Sequence, residues 1–577
     1  MDVGGLVELA GAVAVIGRRL EGETAVLDVP PVALPELTLA AVGRREMLAR
    51  LATLRAVVTL AAESYAATEA RVAQLFGCGR VSGLLRSLDA TALEALLVSA
   101  PALAAAVVSR RPGDRDPVAD ALTRTLLLPP ALAARRQAQT LALMGAPQRR
   151  LLALMHPWLM TSLAGAPASD RFAASRVLVA ADLATLLRRR AAMTPGPELR
   201  RIERRIAMRQ KLIEEQVVLR HPDGTLTRHP HQLLSFDPAD DGRVVEVIGD
   251  LDRARHLAVF VPGTGSDLDR AAGTVARMTP FASANPSLAV VVWQNADHPD
   301  QPFDDPLPPP SVLIGPAGPA RLQRYLREHV LAAAYRDAAA VAGPVLAADV
   351  AGLRVAMAVP ASDLTVLGHS YGGSIVGAAE ANGMVADRVV HVASAGAYVD
   401  DVADYAAPGT PRFSMTAYDD PIRLAQGYDA SDTTDRVRAM LPAPLDPFAA
   451  AAAEAARLAV PASSETGHGL DPDLVPGVVR LDTGVHQDGS LVRGHSSMFE
   501  PDSTAWRNLL GVMTRGQVEV LQPQLWSSHL DPLGAAVTLP GGAVVGGSTM
   551  RPLPPRYVID RTPYADPGYR PPVLDLG

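Results

Sequence analysis

The chain has 577 residues, a net charge of −7 at pH 7 and one cysteine. That length predicts two or three domains rather than a single core. The acidic balance excludes nucleic acid as the main partner, because phosphate contacts need clustered lysine and arginine, and one cysteine excludes an intrachain disulfide.

The amino terminus does not have the pattern of a signal peptide. It has no basic start, and Glu8 interrupts its apolar stretch. The longest apolar run, residues 95–109, contains Pro101 and is shorter than the roughly 20 residues that a membrane-spanning helix needs. We therefore expect no transmembrane segment, and a protein that is cytoplasmic or exported without a classical signal peptide.

The first 217 residues have a helical pattern with almost no strand signal. Residues 51–76 place apolar side chains three and four positions apart, and two glycines follow. A second helical block, from about 82 to 215, is broken by proline-containing stretches at 111–114, 129–130 and 195–197. We predict a helical region over 1–78 and a second helical region over 79–217.

Near residue 218 the pattern changes to short apolar strands that alternate with helices. We predict a hairpin at 217–226, strands at 243–248, 256–261, 288–293, 363–367, 388–393 and 413–418, and helices at about 319–357 and 372–381. Such strands are typical of a parallel sheet buried on both faces. This predicts an α/β domain over 218–520, followed by a Pro- and Gly-rich tail over 521–577.

The sharpest local signal is the sequence GHSYGG that begins at Gly368. An apolar strand comes directly before it and a predicted helix directly after it, which is the context of a nucleophile elbow. In that turn the backbone at Ser370 is strained, and its hydroxyl projects above the carboxyl edge of the sheet. Gly368 and Gly372 are expected where strand and helix pass too close for a Cβ.

A serine nucleophile needs a base and an acid that orients the base, and in this context they follow in the order serine, acid, histidine. Asp419 and Asp420 come directly after the strand predicted at 413–418. We favour Asp420, which precedes a Pro-Ile turn, and keep Asp419 as the alternative acid. Asp400 and Asp401, one strand earlier, are further alternatives.

Three histidines downstream could act as the base. His495 follows Gly494 in a loop ahead of a predicted helix, so that the loop can reach back to the edge of the sheet. His468 and His486 lie in polar turns with no helix after them. We favour His495.

Two backbone N–H groups must stabilise the oxyanion of an acyl-transfer reaction. One is expected from Tyr371, the residue after the nucleophile. For the other we favour Thr264, in the loop after the strand at 256–261, with Gly263 and Gly265 as alternatives. This loop lacks the full G-x-G-x-x-G pattern of a phosphate-binding turn, because position 268 is leucine.

No metal site or cofactor is predicted. The closest pair of histidines, His229 and His231, is separated by a proline that prevents helical ligand spacing.

Four segments between residues 233 and 514 carry a family resemblance: LLSFDPADDGRVVEVIGDLDRARHLAVFVPGTGS, DLTVLGHSYGGSIVGAA, YDDPI and GHSSMF. They are similar to an actinobacterial α/β-hydrolase family long catalogued as a domain of unknown function. The resemblance implies an α/β-hydrolase fold and a triad of Ser370, Asp420 and His495, and it implies no substrate.

Members of that family often carry a helical amino-terminal region similar to the WXG-type proteins of type VII secretion. Residues 1–78 resemble such a region loosely, since the chain has no Trp-x-Gly turn. Its nearest tryptophan, Trp158, stands in the sequence HPWL.

These observations favour a serine hydrolase that cleaves carboxylic esters and acts on a small-molecule or lipid-like acyl substrate. One alternative is a secretion-associated protein whose helical region binds a helical partner, with the hydrolase domain as a residual scaffold. Another is a peptidase or amidase that uses the same triad.

Overall fold

The computed structural model describes a defined part of the chain: residues 89–109, 117–300, 333, 335–356, 363–417, 420, 422, 426, 467–521, 537–538, 544–545 and 570–577. The predicted region 1–78, the alternative acid Asp419 and most of the predicted tail lie outside these residues. The helix predicted at 319–357 is described from Asp337 onward.

The described residues form helices alone up to Glu214 and strands alternating with helices after it. The helices are α1 (Ala90–Ser99), α2 (Pro101–Val108), α3 (Pro117–Thr125), α4 (Pro130–Ala142), α5 (Ala146–Met155), α6 (Pro157–Ser162), α7 (Ala168–Ala191), α8 (Pro197–Glu214), α9 (Ala271–Ala284), α10 (Asp337–Ala356), α11 (Tyr371–Ala381) and α12 (Thr504–Thr514). The strands are β1 (Gln216–Arg220), β2 (Leu226–Pro230), β3 (Gln232–Asp237), β4 (Arg243–Ile248), β5 (His256–Val261), β6 (Leu288–Gln294), β7 (Asp363–His369), β8 (Arg388–Val392), β9 (Arg412–Met415), β10 (Val478–Arg480), β11 (Gln517–Glu519), β12 (Val537–Thr538), β13 (Val544–Val545) and β14 (Val573–Asp575).

Eight strands form one sheet, in the order β10-β9-β8-β7-β5-β6-β4-β3. The six strands from β10 to β6 in this order pair in parallel, and β4 alone runs antiparallel to its neighbours β6 and β3. This confirms the prediction of a mostly parallel sheet. The expected hairpin is formed by β1 and β2.

The sheet is buried on both faces because its central strands are apolar at nearly every position. Every residue of β6 is buried, and so are five of the six residues of β5. Since successive side chains alternate between faces, Val259 packs with α10 and α11 on one side, and Phe260 packs with α9 and α12 on the other. The carboxyl ends of β5, β7, β8 and β9 therefore share one edge of the sheet.

Three strands of the sheet differ most from the sequence prediction. β3 and β10 were not predicted, and β9 ends at Met415, three residues before the predicted end at 418. β3 is an edge strand with only three fully buried positions, and β10 has three residues, none of them fully buried. Neither has the continuous apolar run by which the other strands are recognised.

The chain divides into two compact units. The first consists of Met1–Ala119, Met144–Met160 and Ala173–Glu214, and the second of Asp120–Leu143, Thr161–Phe172 and Glu215–Gly577. The second contains the sheet. In the first, leucines of α1 and α2 pack with Val177 of α7 in an apolar core, and Arg209 donates to the Asp182 carboxylate at 2.8 Å. The domain boundaries expected at 78, 217 and 520 stay predictions.

One described helix, α10, is long and apolar enough to span a membrane. α1 and α2 would together reach that length, but they are bent by 109° at their junction. α10 contains Pro344 and buries Leu346, Val350 and Leu353 in the core beside α11.

Candidate active site

Ser370 lies in the turn between β7, which ends at His369, and α11, which begins at Tyr371. Its backbone has φ 58° and ψ −128°, a region that residues with a Cβ rarely adopt. Three hydrogen bonds hold this conformation. The Ser370 N–H donates to the Val392 carbonyl, and the Ser370 carbonyl accepts from the N–H groups of Gly373 and Ala395.

Glycines surround the turn because backbone segments cross there at close range. A Cβ on Gly368 would lie 2.5 Å from the Gly372 carbonyl oxygen, and a Cβ on Gly372 would lie 2.2 Å from that of Val261. The expected need for glycine at these two positions therefore has a steric cause. Gly263 approaches the nucleophile itself: a Cβ on Gly263 would lie 2.6 Å from the Ser370 Cβ.

His495 and Asp420 meet at the edge of the sheet although 75 residues separate them. His495 Nδ1 lies 2.8 Å from Asp420 Oδ1. The Asp420 side chain is fully buried, and its Oδ1 also accepts the Ile422 N–H at 2.9 Å. Its Oδ2 has no hydrogen-bond partner among the residues that the structure describes. A carboxylate so placed fixes the ring orientation and requires the proton to sit on Nδ1.

The His495 ring lies beside the residue that precedes the nucleophile. It is centred 4.6 Å from the His369 ring, and 31% of its side chain is exposed. Within the described part of the chain no hydrogen bond joins the Ser370 hydroxyl to His495. In unliganded enzymes such bonds are often long and shorten when substrate binds.

The other candidate bases have different surroundings. His468 is buried and lies 2.8 Å, through Nδ1, from the hydroxyl of Ser374 on α11. His486 occupies a turn, where its Nδ1 lies 3.5 Å from a Glu500 carboxylate oxygen. Among the candidate acids, Asp401 is exposed, and its carboxylate accepts the Ala403 N–H at the start of a short 3₁₀ helix.

Among the described residues, the N–H groups of Tyr371, which opens α11, and of Thr264 donate to no backbone carbonyl, and neither does that of the alternative donor Gly263. The alternative donor Gly265 is already engaged, because its N–H donates to the Pro299 carbonyl at 2.7 Å. The Tyr371 hydroxyl donates to the Tyr335 carbonyl, and burial raises its pKa above the ordinary value. Tyr371 thus offers its amide and not its phenol to the site.

His369 was not singled out by the sequence analysis. Its Nε2 donates to the His495 carbonyl at 2.8 Å, and its side chain is buried. Burial, followed by the proximity of His495, holds the pKa of His369 well below its ordinary value. The pairing joins residues 126 positions apart, and no local pattern could have indicated it.

No group of three or more metal-ligating side chains occurs among the described residues. The histidine pair noted in the sequence has other contacts: His231 Nδ1 lies 2.6 Å from the Glu246 carboxylate, and His229 Nδ1 lies 2.9 Å from the Pro230 carbonyl.

Comparison with known proteins links the central part of the chain to α/β-hydrolases. The sequence model of a family described as alpha/beta hydrolase matches residues 237–428. Two Mycobacterium tuberculosis proteins, from strains CDC 1551 / Oshkosh and ATCC 25618 / H37Rv and both described as uncharacterized, are 29% identical over 214 residues. The match covers 35% of this chain and 29% of each relative.

Among solved structures, a candidate aryl esterase from Burkholderia cenocepacia is similar over 50% of this chain and 88% of its own, with 14% identity and a TM-score of 0.19. At that score the likeness carries no weight for function.

Proposed function

The chain has an α/β-hydrolase fold, and we propose that it is a serine hydrolase. In this proposal Ser370 is the nucleophile, His495 the general base and Asp420 the residue that orients it. The Tyr371 and Thr264 N–H groups stabilise the oxyanion. The reaction is the cleavage of a carboxylic ester through an acyl-enzyme.

The observation that carries the proposal is the 2.8 Å contact between His495 Nδ1 and the fully buried Asp420 carboxylate. It lies at the carboxyl edge of the strand that ends in the strained Ser370 turn. A buried carboxylate on Nδ1 leaves Nε2 as the acceptor for the serine proton and stabilises the imidazolium that forms. An imidazolium beside an exposed carboxylate would be stabilised less, because the attraction between the two charges is weaker in water.

In the first half of the reaction, Ser370 Oγ attacks the acyl carbonyl carbon while His495 Nε2 takes the hydroxyl proton. The carbonyl oxygen becomes an oxyanion that accepts hydrogen bonds from the two backbone N–H groups. When the intermediate collapses, the bond to the alcohol oxygen breaks and the alcohol leaves with the proton from His495. Water then attacks the acyl-enzyme by the same steps and releases the acid.

A fluorophosphonate probe, which phosphorylates an activated serine, tests the nucleophile directly. We expect the full chain to be labelled and Ser370→Ala not to be labelled. Ser374→Ala is the matched control, because its hydroxyl lies one helical turn further along α11, bound to His468, and it should keep its labelling. Absence of labelling of the wild type would instead favour the residual scaffold.

The acyl substrate class is tested with a panel of matched p-nitrophenyl esters and anilides. Ester turnover that exceeds amide turnover and depends on Ser370 supports the proposal. Turnover of amides without esters would favour the peptidase or amidase alternative.

A further inference from the structure

His369 connects the nucleophile strand to the loop that carries the proposed base. It is the last residue of β7, directly before Ser370, and only 4% of its surface is exposed. Its Nε2–H donates to the backbone carbonyl of His495 at 2.8 Å. A carbonyl can only accept, so the proton of the neutral His369 ring must be on Nε2.

The loop around His495 is held at a second point by the same ring. The ring of Phe499, four residues after His495, packs edge-on to that of His369 with centres 5.1 Å apart. Phe499 in turn packs edge-on against Phe260 of β5 at 5.4 Å. The loop therefore contacts His369 through one backbone carbonyl and two rings, those of His495 and Phe499.

His495 is consequently held from both ends. Asp420 fixes its imidazole through Nδ1, and His369 fixes its backbone through the carbonyl. Gly494, directly before it, has φ 75°, so the chain turns sharply there. A displacement of about 1 Å at a catalytic group can reduce the rate about 100-fold.

The surroundings of the two imidazoles also determine which of them takes a proton. His495 faces a buried carboxylate, whereas the charged or titratable groups that act on His369 are His495 and the Arg277 guanidinium on α9. With ring centres 4.6 Å apart, two imidazolium ions would repel each other. His369 therefore stays neutral and keeps its N–H on the carbonyl while His495 carries the transferred proton.

We propose that His369 is a positioning residue that holds the His495 loop against the nucleophile strand through its Nε2–H bond to the His495 carbonyl and its contact with Phe499. The inference rests on the proposed triad for its effect on the reaction. Its structural part, the restraint of the loop, is measurable without any activity.

Two substitutions separate the hydrogen bond from the packing. His369→Gln places an N–H donor at the same number of bonds from the backbone as His Nε2, but has no ring. His369→Phe keeps a ring against Phe499 and has no donor. The rate constant of fluorophosphonate labelling should fall about 10- to 100-fold in His369→Phe and recover to within a few-fold of wild type in His369→Gln.

Retention of the wild-type rate by His369→Phe, or an equal loss in both variants, would overturn the proposal, because the donor would then have no separate effect. Ser370→Ala provides the unlabelled baseline. If the wild type itself is not labelled, the proposed function fails and labelling says nothing about His369.

Hydrogen–deuterium exchange of the full chain then tests the restraint alone. Amides in the segment 494–499 should exchange faster in His369→Phe than in His369→Gln and in wild type. Equal exchange in all three proteins would refute the restraint whatever the outcome of labelling.

Discussion

At the scale of single residues, the site depends on one serine held in an unfavourable backbone conformation. A residue with a Cβ at φ 58° costs on the order of 1–3 kcal/mol. The three backbone hydrogen bonds of Ser370 offset that cost, and the absence of side chains at Gly263, Gly368 and Gly372 makes the space for it.

The first prediction concerns Gly263, whose replacement by alanine should damage the site more than the fold. The new Cβ would come within 2.6 Å of the Ser370 Cβ and 2.9 Å of its Oγ. We expect the rate of Ser370 labelling to fall about tenfold or more. Gly273→Ala is the control: it lies on α9 with nothing within 4 Å of the new Cβ, and it should keep the rate and gain about 0.5–1 kcal/mol of stability. Equal rates in the two variants would contradict the prediction.

The second prediction distinguishes the two adjacent aspartates. Asp420→Asn preserves shape but presents an amide where His495 Nδ1–H needs a charged acceptor, so the other tautomer is favoured. We expect labelling and ester turnover to fall on the order of 10³-fold or more. Asp419→Asn should have little effect. A loss at Asp419 that equals or exceeds the loss at Asp420 would refute the assignment.

At the scale of elements, the strands that position the site could be predicted because each is a continuous apolar run. β4 and β5 have the bounds expected from the sequence, and the turn after β7 was recognised from strand, glycine and helix in succession. β3 and β10 lie at the two ends of the sheet, where one side of each strand has no neighbour in it. Edge strands bury fewer residues, and their pattern is correspondingly weak.

The contacts within the site were less predictable because they join distant parts of the chain. The sequence favoured Ser370, Asp420 and His495 by their order and by the strands before them. It contained no signal for the bond from His369 to the His495 carbonyl or for the close approach of Gly263 to the serine. Such contacts depend on how β5, β7 and the late loop come together in three dimensions.

The third prediction concerns a buried ion pair that joins α11 to β9. Arg412 donates to one oxygen of Glu380 through two nitrogens, at 3.0 and 2.8 Å, and both side chains are almost fully buried. Its NH1 and NH2 groups also donate to the carbonyls of Ala407, Pro408 and Thr410, which holds the loop before β9.

Arg412→Met should lower the free energy of unfolding by about 3–5 kcal/mol, because it leaves the Glu380 carboxylate buried without its partner. Glu380→Gln should cost less, since an amide oxygen still accepts from Arg412. Burial raises the pKa of Glu380 to about 7 even though Arg412 lowers it. The pKa is therefore higher still in Arg412→Met, and urea unfolding is best compared at pH 8 or above, where protonation of the carboxyl relieves less of the loss. A greater loss in Glu380→Gln than in Arg412→Met would contradict this account.

At the scale of the whole molecule, the proposed triad extends beyond the part of the chain that resembles known families. Ser370 and Asp420 lie within the matched residues 237–428, and His495 lies outside them. The segment that carries His495 nevertheless returns to the same sheet edge, because α12 packs on β5 and β7 and brings the preceding loop with it. The proposed site therefore combines residues from inside and outside the matched segment, and its integrity should depend on the stability of the sheet-containing unit.

The last prediction concerns the pH dependence of that stability. His298, in the loop after β6, is buried. Burial lowers its pKa to about 4, and the backbone of Gly263 offsets only part of this effect. In the unfolded chain the pKa returns to about 6.5.

Between pH 6.5 and pH 4 the unfolded chain therefore binds a proton at His298 that the folded chain does not, and stability falls as the pH drops through this window. From pH 7 to pH 5 the loss due to this one residue is about 2 kcal/mol. His298→Phe keeps a ring beside Trp293 and removes the titration. The variant should lose about 2 kcal/mol less than wild type over the same interval in urea unfolding. Equal losses of stability in the two proteins would contradict the prediction. They would mean that His298 binds its proton as readily in the folded chain as in the unfolded chain, and that the loop after β6 opens to water without loss of the fold.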